Sequence, residues 1–258
     1  MTNSNEPIEG PWSQNPRARG GGGRGPGGLN AAPIFNAPGV VIWTIGFLVV
    51  AALVVWMLPV RLENQVERWG AVKPLLFLAG PKDNGGVFGM ILPLFSHMAL
   101  HANVMHLFFN ALWLLAFGAP VARRLGATNS HSGIWPAFLF VSFFAVTGAA
   151  GALFYIALNT KAMVILVGAS GGVSGLLGGL IRFAFQRPAY FTQGSTGLAP
   201  LFDRNVLIWS AIIIVVNIAM AYAGLGVGQA TSIAWEAHVG GYLFGLIVFP
   251  FFDWLARR

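Results

Sequence analysis

The chain has 258 residues, of which 56% are hydrophobic and only 9% are charged. Soluble globular proteins carry roughly 25% charged residues, so this composition indicates a protein that lies in a membrane. Cysteine is absent, which excludes disulfides, thiolate metal sites and a cysteine nucleophile. The 15 Lys and Arg residues exceed the 8 Asp and Glu residues, but we find no RNA- or DNA-binding motif and predict no nucleic-acid partner.

The first 37 residues differ in composition from the rest of the chain. The stretch 17–28 reads RARGGGGRGPGG, which is too rich in Gly and Pro to bury a hydrophobic core. Glu6 and Glu9 stand where a signal peptide requires basic residues, and no short apolar stretch with a cleavage site comes first. We therefore predict a flexible tail over 1–37, with no signal peptide, and a membrane domain over 38–258.

Six apolar runs are long enough to cross a bilayer core, which takes about 20 residues of helix. The predicted spans are 39–60, 101–121, 134–158, 163–184, 206–224 and 233–252. The connection 61–96 is too long and too aromatic for an ordinary loop, so we expect it to fold at the membrane surface. The sequence thus predicts an all-α bundle of six transmembrane helices, with a long membrane-associated loop between helices 1 and 2.

Basic residues in the loops predict the orientation of this bundle. With a cytoplasmic N-terminus, ten of the 15 Lys and Arg residues lie inside and five outside, as the positive-inside rule requires. The inner group is Arg17, Arg19, Arg24, Arg123, Arg124, Arg182, Arg187, Arg204, Arg257 and Arg258, and the outer group is Arg61, Arg68, Lys73, Lys82 and Lys161. Both termini are therefore predicted in the cytoplasm. A compact body with a short tail and no transit peptide favours a bacterial inner membrane.

The motif Gly-Ala-Ser-Gly-Gly over 168–172 lies at the outer end of the fourth span and has two interpretations. Gly171, Gly175 and Gly179 recur every four residues on one helix face, which is typical of close helix packing. Alternatively, the hydroxyl of Ser170 is flanked by residues without bulk, so that a substrate backbone could reach it. Taken alone, the motif favours packing.

A histidine in the sixth span makes the second interpretation stronger. Ala237, Gly241 and Gly245 flank His238 with another ladder of small residues at four-residue spacing. Two helices with such ladders can pack with their backbones close together. That closeness is what a serine needs to hydrogen-bond an imidazole at about 2.6–3.2 Å. Packing and chemistry therefore indicate the same pair, Ser170 and His238.

Three histidines and an asparagine stand at the start of the second span. His106 and Asn110 are four residues apart on one helix face, where both can donate hydrogen bonds, and with His97 and His101 we expect them to line a polar cavity. A zinc site is a poor alternative, because no His-Glu-x-x-His motif, thiolate or set of membrane carboxylates is present. We predict no metal and no cofactor. An aspartyl intramembrane protease is excluded, since no pair of membrane aspartates exists.

Glu236 does not extend the pair to a triad. It lies two residues before His238, which places it on a nearly opposite helix face. The sequence therefore predicts a Ser–His dyad.

Three segments together resemble the signature of the rhomboid intramembrane serine proteases of bacterial type: HANVMHLFFN over 101–110, GASG over 168–171 and AHVGG over 237–241. Their order, spacing and placement on spans two, four and six all match, and FGAPVARRLG over 117–126 resembles the family's loop after span two. The resemblance covers about residues 38–255.

The resemblance implies a fold, a reaction and a set of site residues. The fold is a six-helix bundle with a hydrophilic cavity open to the outside. Ser170 attacks the peptide bond, with His238 as base and then acid, while His106, Asn110 and the backbone N–H of Ser170 stabilise the oxyanion. The implied substrates are single-span membrane proteins within the bilayer, whose helices must unwind because helical hydrogen bonds shield their carbonyls. Small and helix-breaking residues are expected near the cleavage point.

Three features depart from the family's pattern, one of which is that no obvious Trp-Arg pair precedes the histidines of span two. Ser174 stands where some members have an aromatic residue that packs on the catalytic histidine. Tyr242, one helical turn beyond His238, is a candidate for orienting that histidine instead. Ala122 stands where related sequences often have an acid that supports the following loop.

Two other functions are compatible with parts of the pattern. A catalytically inactive relative would bind membrane helices without cutting them, but Ser170 and His238 are both intact. A transporter would line a substrate path with buried polar groups. That class predicts internal repeats and ionisable pairs in mid-membrane, and the sequence has neither.

Overall fold

The structure, a computed structural model, describes residues 37–127, 133–161, 164–186, 197–223 and 234–258. They belong to one unit, Ala37–Arg258, and the predicted tail over 1–37 lies outside the described residues apart from Ala37. The helices described are α1 (Gly39–Trp56), α2 (Val60–Gly70), α3 (Pro74–Ala79), α4 (Val87–Ile91), α5 (Pro93–Ser96), α6 (Val104–Arg124), α7 (Ile134–Leu158), α8 (Ser170–Ala184), α9 (Arg204–Tyr222) and α10 (Trp235–Leu255). A 3₁₀ turn, His97–Ala99, follows α5. Within the described ranges the regular structure is helical apart from one isolated β-bridge, which confirms the all-α class.

Five helices in the described residues are long and apolar enough to cross a membrane, namely α1, α6, α7, α9 and α10. They match predicted spans one, two, three, five and six, with ends displaced by up to four residues. Local capping accounts for two of these shifts. The side chain of Asn103 accepts a hydrogen bond from the backbone N–H of His106 at 2.9 Å, and Asp203 accepts one from Asn205 at 2.9 Å, so α6 and α9 each begin directly after a capping residue.

The fourth span differs from its prediction. A helix over 163–184 was expected, but α8 begins at Ser170 and has 15 residues, a length of about 22 Å. Residues 164–169 are not helical, because Leu166 pairs with Val72 as a β-bridge and Gly168 adopts a φ of +113°. The helix that carries the serine therefore begins later in the chain than expected, and it is shorter than each of the five described helices that could cross a membrane.

The predicted surface loop over 61–96 contains four short helices, α2 to α5. The longest, α2, has 11 residues, about 16 Å, so none of the four could cross a bilayer core of about 30 Å. Exposed apolar side chains, among them Leu75, Phe88 and Ile91, suit this segment to the surface of a membrane. The segment also supports the bundle, since Val72 forms both hydrogen bonds of the bridge with Leu166, at 3.1 and 2.9 Å.

Helix α8 lies at the centre of the bundle, against α6, α7 and α10, and its largest interface is with α10. The two small-residue ladders face one another there, as predicted. A Cβ atom added to Gly241 would collide with the carbonyl oxygen of Gly171, and one added to Gly245 would collide with that of Gly175. The two backbones are therefore in direct contact, which only glycine permits at these positions.

The other end of the bundle is held by a buried ion pair. Asp253 of α10 is 1% exposed, and its carboxylate accepts hydrogen bonds from Arg124 at 2.6 Å and from Arg257 at 3.0 Å. Ala122 provides no carboxylate at this end of α6. The carboxylate is that of Asp253 on α10, and its ion pair with Arg124 connects α6 to α10.

We predict that Gly241→Ala lowers stability by about 1–3 kcal/mol, the usual cost of overpacking a close contact. The added methyl group would meet the backbone of α8, which cannot move aside as a flexible side chain could. Thermal unfolding in detergent measures the effect. The matched control is Gly46→Ala in α1, where a Cβ atom meets nothing within 4 Å. Equal stability of the two variants would contradict the proposed backbone contact.

Candidate active site

The contact between α8 and α10 brings a serine and a histidine together. Ser170 is the first residue of α8 and His238 is the fourth of α10. Ser170 Oγ lies 2.7 Å from His238 Nε2, which is a hydrogen bond between a hydroxyl and an imidazole. Because the serine side chain is short, this distance depends on the adjacent backbone contact between Gly171 and Gly241.

The second ring nitrogen of His238 has a partner on α9. His238 Nδ1 lies 2.9 Å from the amide oxygen Oδ1 of Asn217, and the amide nitrogen of Asn217 donates to the carbonyl of Ile213 at 2.8 Å. Three helices thus contribute one residue each to a Ser–His–Asn chain of hydrogen bonds. Sequence reasoning missed Asn217, although an amide in the middle of the apolar stretch 211–219 is a signal that could have found it.

Asn217 makes the contact with His238 for which the sequence suggested Tyr242. Tyr242 was the candidate for orienting His238, but its hydroxyl bonds Ser210 at 2.7 Å. Glu236 borders the same cavity as His238, and both imidazole nitrogens have partners other than Glu236. Ser174 contributes a small side chain to the cavity wall.

The segment before Ser170 positions a second histidine. The backbone N–H of Gly168 donates to the carbonyl of His97 at 2.8 Å, and its φ of +113° is one that residues with a side chain rarely adopt. A Cβ atom at Gly168 would lie 2.5 Å from Cε1 and 2.6 Å from Nε2 of His106. Gly168, two residues before Ser170, therefore leaves the space that the imidazole of His106 occupies.

The backbone N–H of Ser170 is at the start of α8. First-turn N–H groups of a helix have no acceptor within the helix, and the N-cap residue here, Ala169, has no side-chain acceptor. The helix dipole adds partial positive charge at this end. These features make the N–H of Ser170 a suitable hydrogen-bond donor to an oxygen that develops negative charge.

Asn110 lies in the cavity wall on α6, one turn beyond His106. Its side chain is buried, and its amide nitrogen donates to the backbone carbonyl of His106 at 2.9 Å. That bond uses one of two amide hydrogens and leaves the second free to bind an acceptor.

His97 and His101 do not line the cavity, which corrects the sequence-based expectation. The Nδ1 of His97 donates to the carbonyl of Pro93 at 2.8 Å, and the ring is 1% exposed. The ring of His101 is buried edge-on against that of His106, with 5.3 Å between centroids. Both residues precede α6 and are buried, whereas His106 and Asn110, on the helix, line the cavity.

A cavity of about 780 Å³ contains these groups. Its polar residues include His106, Asn110, Ser170, Asn217, Glu236 and His238. Much of the remaining wall is apolar and comes from α6 and α9, with Trp113, Phe117 and Val216 as examples. A polar site with apolar walls can accommodate both water and an apolar chain.

Bundle and site together define a multi-pass membrane protein with a polar site enclosed by apolar helices. The Rhomboid domain family model matches residues 88–253, more than half of the chain, which therefore belongs to the rhomboid family. The RHOMBOID-like protein 4 of Arabidopsis thaliana is 26% identical over 166 residues, which cover 62% of this chain and 35% of that protein. The chain thus spans about a third of the length of this curated relative.

Proposed function

We propose that the protein is an intramembrane serine endopeptidase with Ser170 as nucleophile and His238 as general base. The observation that carries the proposal is the 2.7 Å separation of Ser170 Oγ and His238 Nε2 within a cavity among membrane helices. Membership of the rhomboid family supports it. A serine hydroxyl is a weak nucleophile until a base accepts its proton, and the short distance to His238 supports the imidazole in that role.

The proposed reaction has two stages. Ser170 Oγ attacks the carbonyl carbon of the peptide bond while its proton passes to His238 Nε2, and His238 then protonates the leaving amine. In the second stage water attacks the acyl-enzyme, with His238 again as base, and Ser170 is regenerated. In each tetrahedral intermediate, the backbone N–H of Ser170, His106 and Asn110 donate to the oxyanion.

The proposed substrates are transmembrane segments of single-span membrane proteins. The apolar walls from α6 and α9 suit an apolar helix, and the polar groups suit a stretch of exposed peptide backbone. A helical substrate has its carbonyls hydrogen-bonded, so it must unwind locally before Ser170 can attack. Small and helix-breaking residues near the cleavage point would lower the cost of that unwinding.

The first prediction concerns the two reacting side chains. Ser170→Ala and His238→Ala should each abolish cleavage of a single-span substrate in liposomes and labelling by a serine-reactive fluorophosphonate. Labelling should persist in Ser174→Ala, which removes the other serine hydroxyl of the cavity wall, one turn along α8. Cleavage that survives Ser170→Ala would refute the assignment of the nucleophile. Substrate binding without any cleavage by the wild-type protein would instead indicate a membrane-helix binder.

The second prediction concerns the oxyanion. Asn110→Ala should lower kcat by about 10²–10³-fold, the typical cost of removing one oxyanion donor, while KM changes little. Asn84→Ala is the matched control, because its amide also donates to a carbonyl four residues earlier, at 2.8 Å to Gly80, and it does not line the cavity. That control should keep kcat near the wild-type value. An unchanged kcat in Asn110→Ala would remove Asn110 from the oxyanion role.

We also propose that both termini face the cytoplasm, across a bacterial inner membrane, so that Ser170 lies toward the outer face. The distribution of basic loop residues supports this orientation. A reporter enzyme fused after Arg258 should be active in the cytoplasm. Reporter activity on the outer side would contradict an even number of spans.

A further inference from the structure

We propose that Asn217 is a positioning residue that holds His238 in the tautomer able to accept the proton of Ser170. The inference rests on the proposed peptidase function and extends it to the residue that prepares the base. Asn217 does not touch the reacting atoms. It acts through the imidazole, which it contacts from α9.

The orientation of the Asn217 amide is the first step of the argument. Its nitrogen donates to the carbonyl of Ile213 at 2.8 Å, so the amide oxygen is the atom that faces His238 Nδ1 at 2.9 Å. An amide oxygen can only accept a hydrogen bond. Nδ1 must therefore carry the hydrogen in the neutral ring.

The tautomer of His238 then follows. A neutral imidazole carries one hydrogen, so with Nδ1 protonated the Nε2 atom presents a lone pair. That lone pair accepts the hydroxyl hydrogen of Ser170 at 2.7 Å. In the opposite tautomer Nδ1 would face the oxygen of Asn217 with two lone pairs opposed, and Ser170 would have no base.

The surroundings of Asn217 make an accidental contact a poor explanation. The stretch 211–219 of α9 is otherwise made of Ala, Ile and Val, and a polar amide there is costly unless it is hydrogen-bonded. Both ends of the amide are bonded, one within α9 and the other to the imidazole. During the reaction the same oxygen would accept a stronger, charge-assisted bond from the imidazolium.

The kinetic test compares three variants in liposomes. Asn217→Leu removes the acceptor at similar volume and should lower kcat about ten- to a hundredfold with KM unchanged, the rate equivalent of one buried hydrogen bond. Asn217→Asp restores an acceptor and should recover much of the lost kcat. Ser210→Ala is the matched control, since it breaks the other side-chain bond described between α9 and α10, to Tyr242, without touching His238. It should keep kcat near the wild-type value.

A second readout requires no substrate. Imidazole ¹⁵N spectra of the full chain in detergent, with His238 assigned by difference from His238→Gln, report which ring nitrogen is protonated. The wild-type protein and Ser210→Ala should show His238 protonated at Nδ1, and Asn217→Leu should show a mixture of tautomers.

The outcomes separate this inference from the proposed function. Protonation of His238 at Nε2 in the wild-type protein would overturn the inference, as would an unchanged tautomer and kcat in Asn217→Leu. Equal losses of kcat in Ser210→Ala and Asn217→Leu, without rescue by Asn217→Asp, would reduce Asn217 to a packing role. A wild-type protein that cleaves nothing refutes the peptidase proposal, while the ¹⁵N spectra still decide how His238 is held. If Asn217→Leu fails to fold, Asn217→Asp decides whether residue 217 orients His238. Protonation at Nδ1 with a kcat near the wild-type value supports the inference, and protonation at Nε2 overturns it.

Discussion

The contact between the glycine backbones of α8 and α10 is the constraint on which the rest of the site depends. Where Gly171 faces Gly241, the two helices are closer than any side chain would allow. A serine and an imidazole project from the same helix pair and meet at 2.7 Å only because of that closeness. The small-residue ladders that indicate helix packing in the sequence therefore also provide the geometry that the proposed chemistry needs.

A neutral hydrogen-bond partner for His238 suits a site surrounded by apolar helices. A carboxylate in such a place would have to be removed from water, at an effective cost of several kcal/mol for each ion. The amide of Asn217 offers the same acceptor geometry without that penalty. The buried carboxylate of Asp253 is instead paired with Arg124 and Arg257, at the end of the bundle away from Ser170.

The sequence predicts most of the helices and the central pair of site residues, because both leave local patterns. Apolar runs identify spans, and small-residue ladders at four-residue spacing identify the faces that meet. The start of α8 was not predictable, since it depends on pairing between Leu166 and the distant Val72. Asn217 was missed for the same reason: its partner comes from another helix, and no spacing rule links the two. His97 and His101 were expected in the cavity because they are close to His106 in the sequence. Closeness in the sequence does not tell which side chains of a turn face a cavity.

Helix α9 carries Asn217 but buries little of its surface against the rest of the bundle. Of its residues, all of which the structure describes, Val206 alone is fully buried. The same helix forms part of the cavity wall, so an outward displacement that widened the cavity would also stretch the bond to His238 Nδ1. In the proposed peptidase, access to the cavity and the orientation of His238 would therefore be coupled through α9. If the wall opened to admit a substrate, the hydrogen bond that orients the imidazole would lengthen, and closure would restore it.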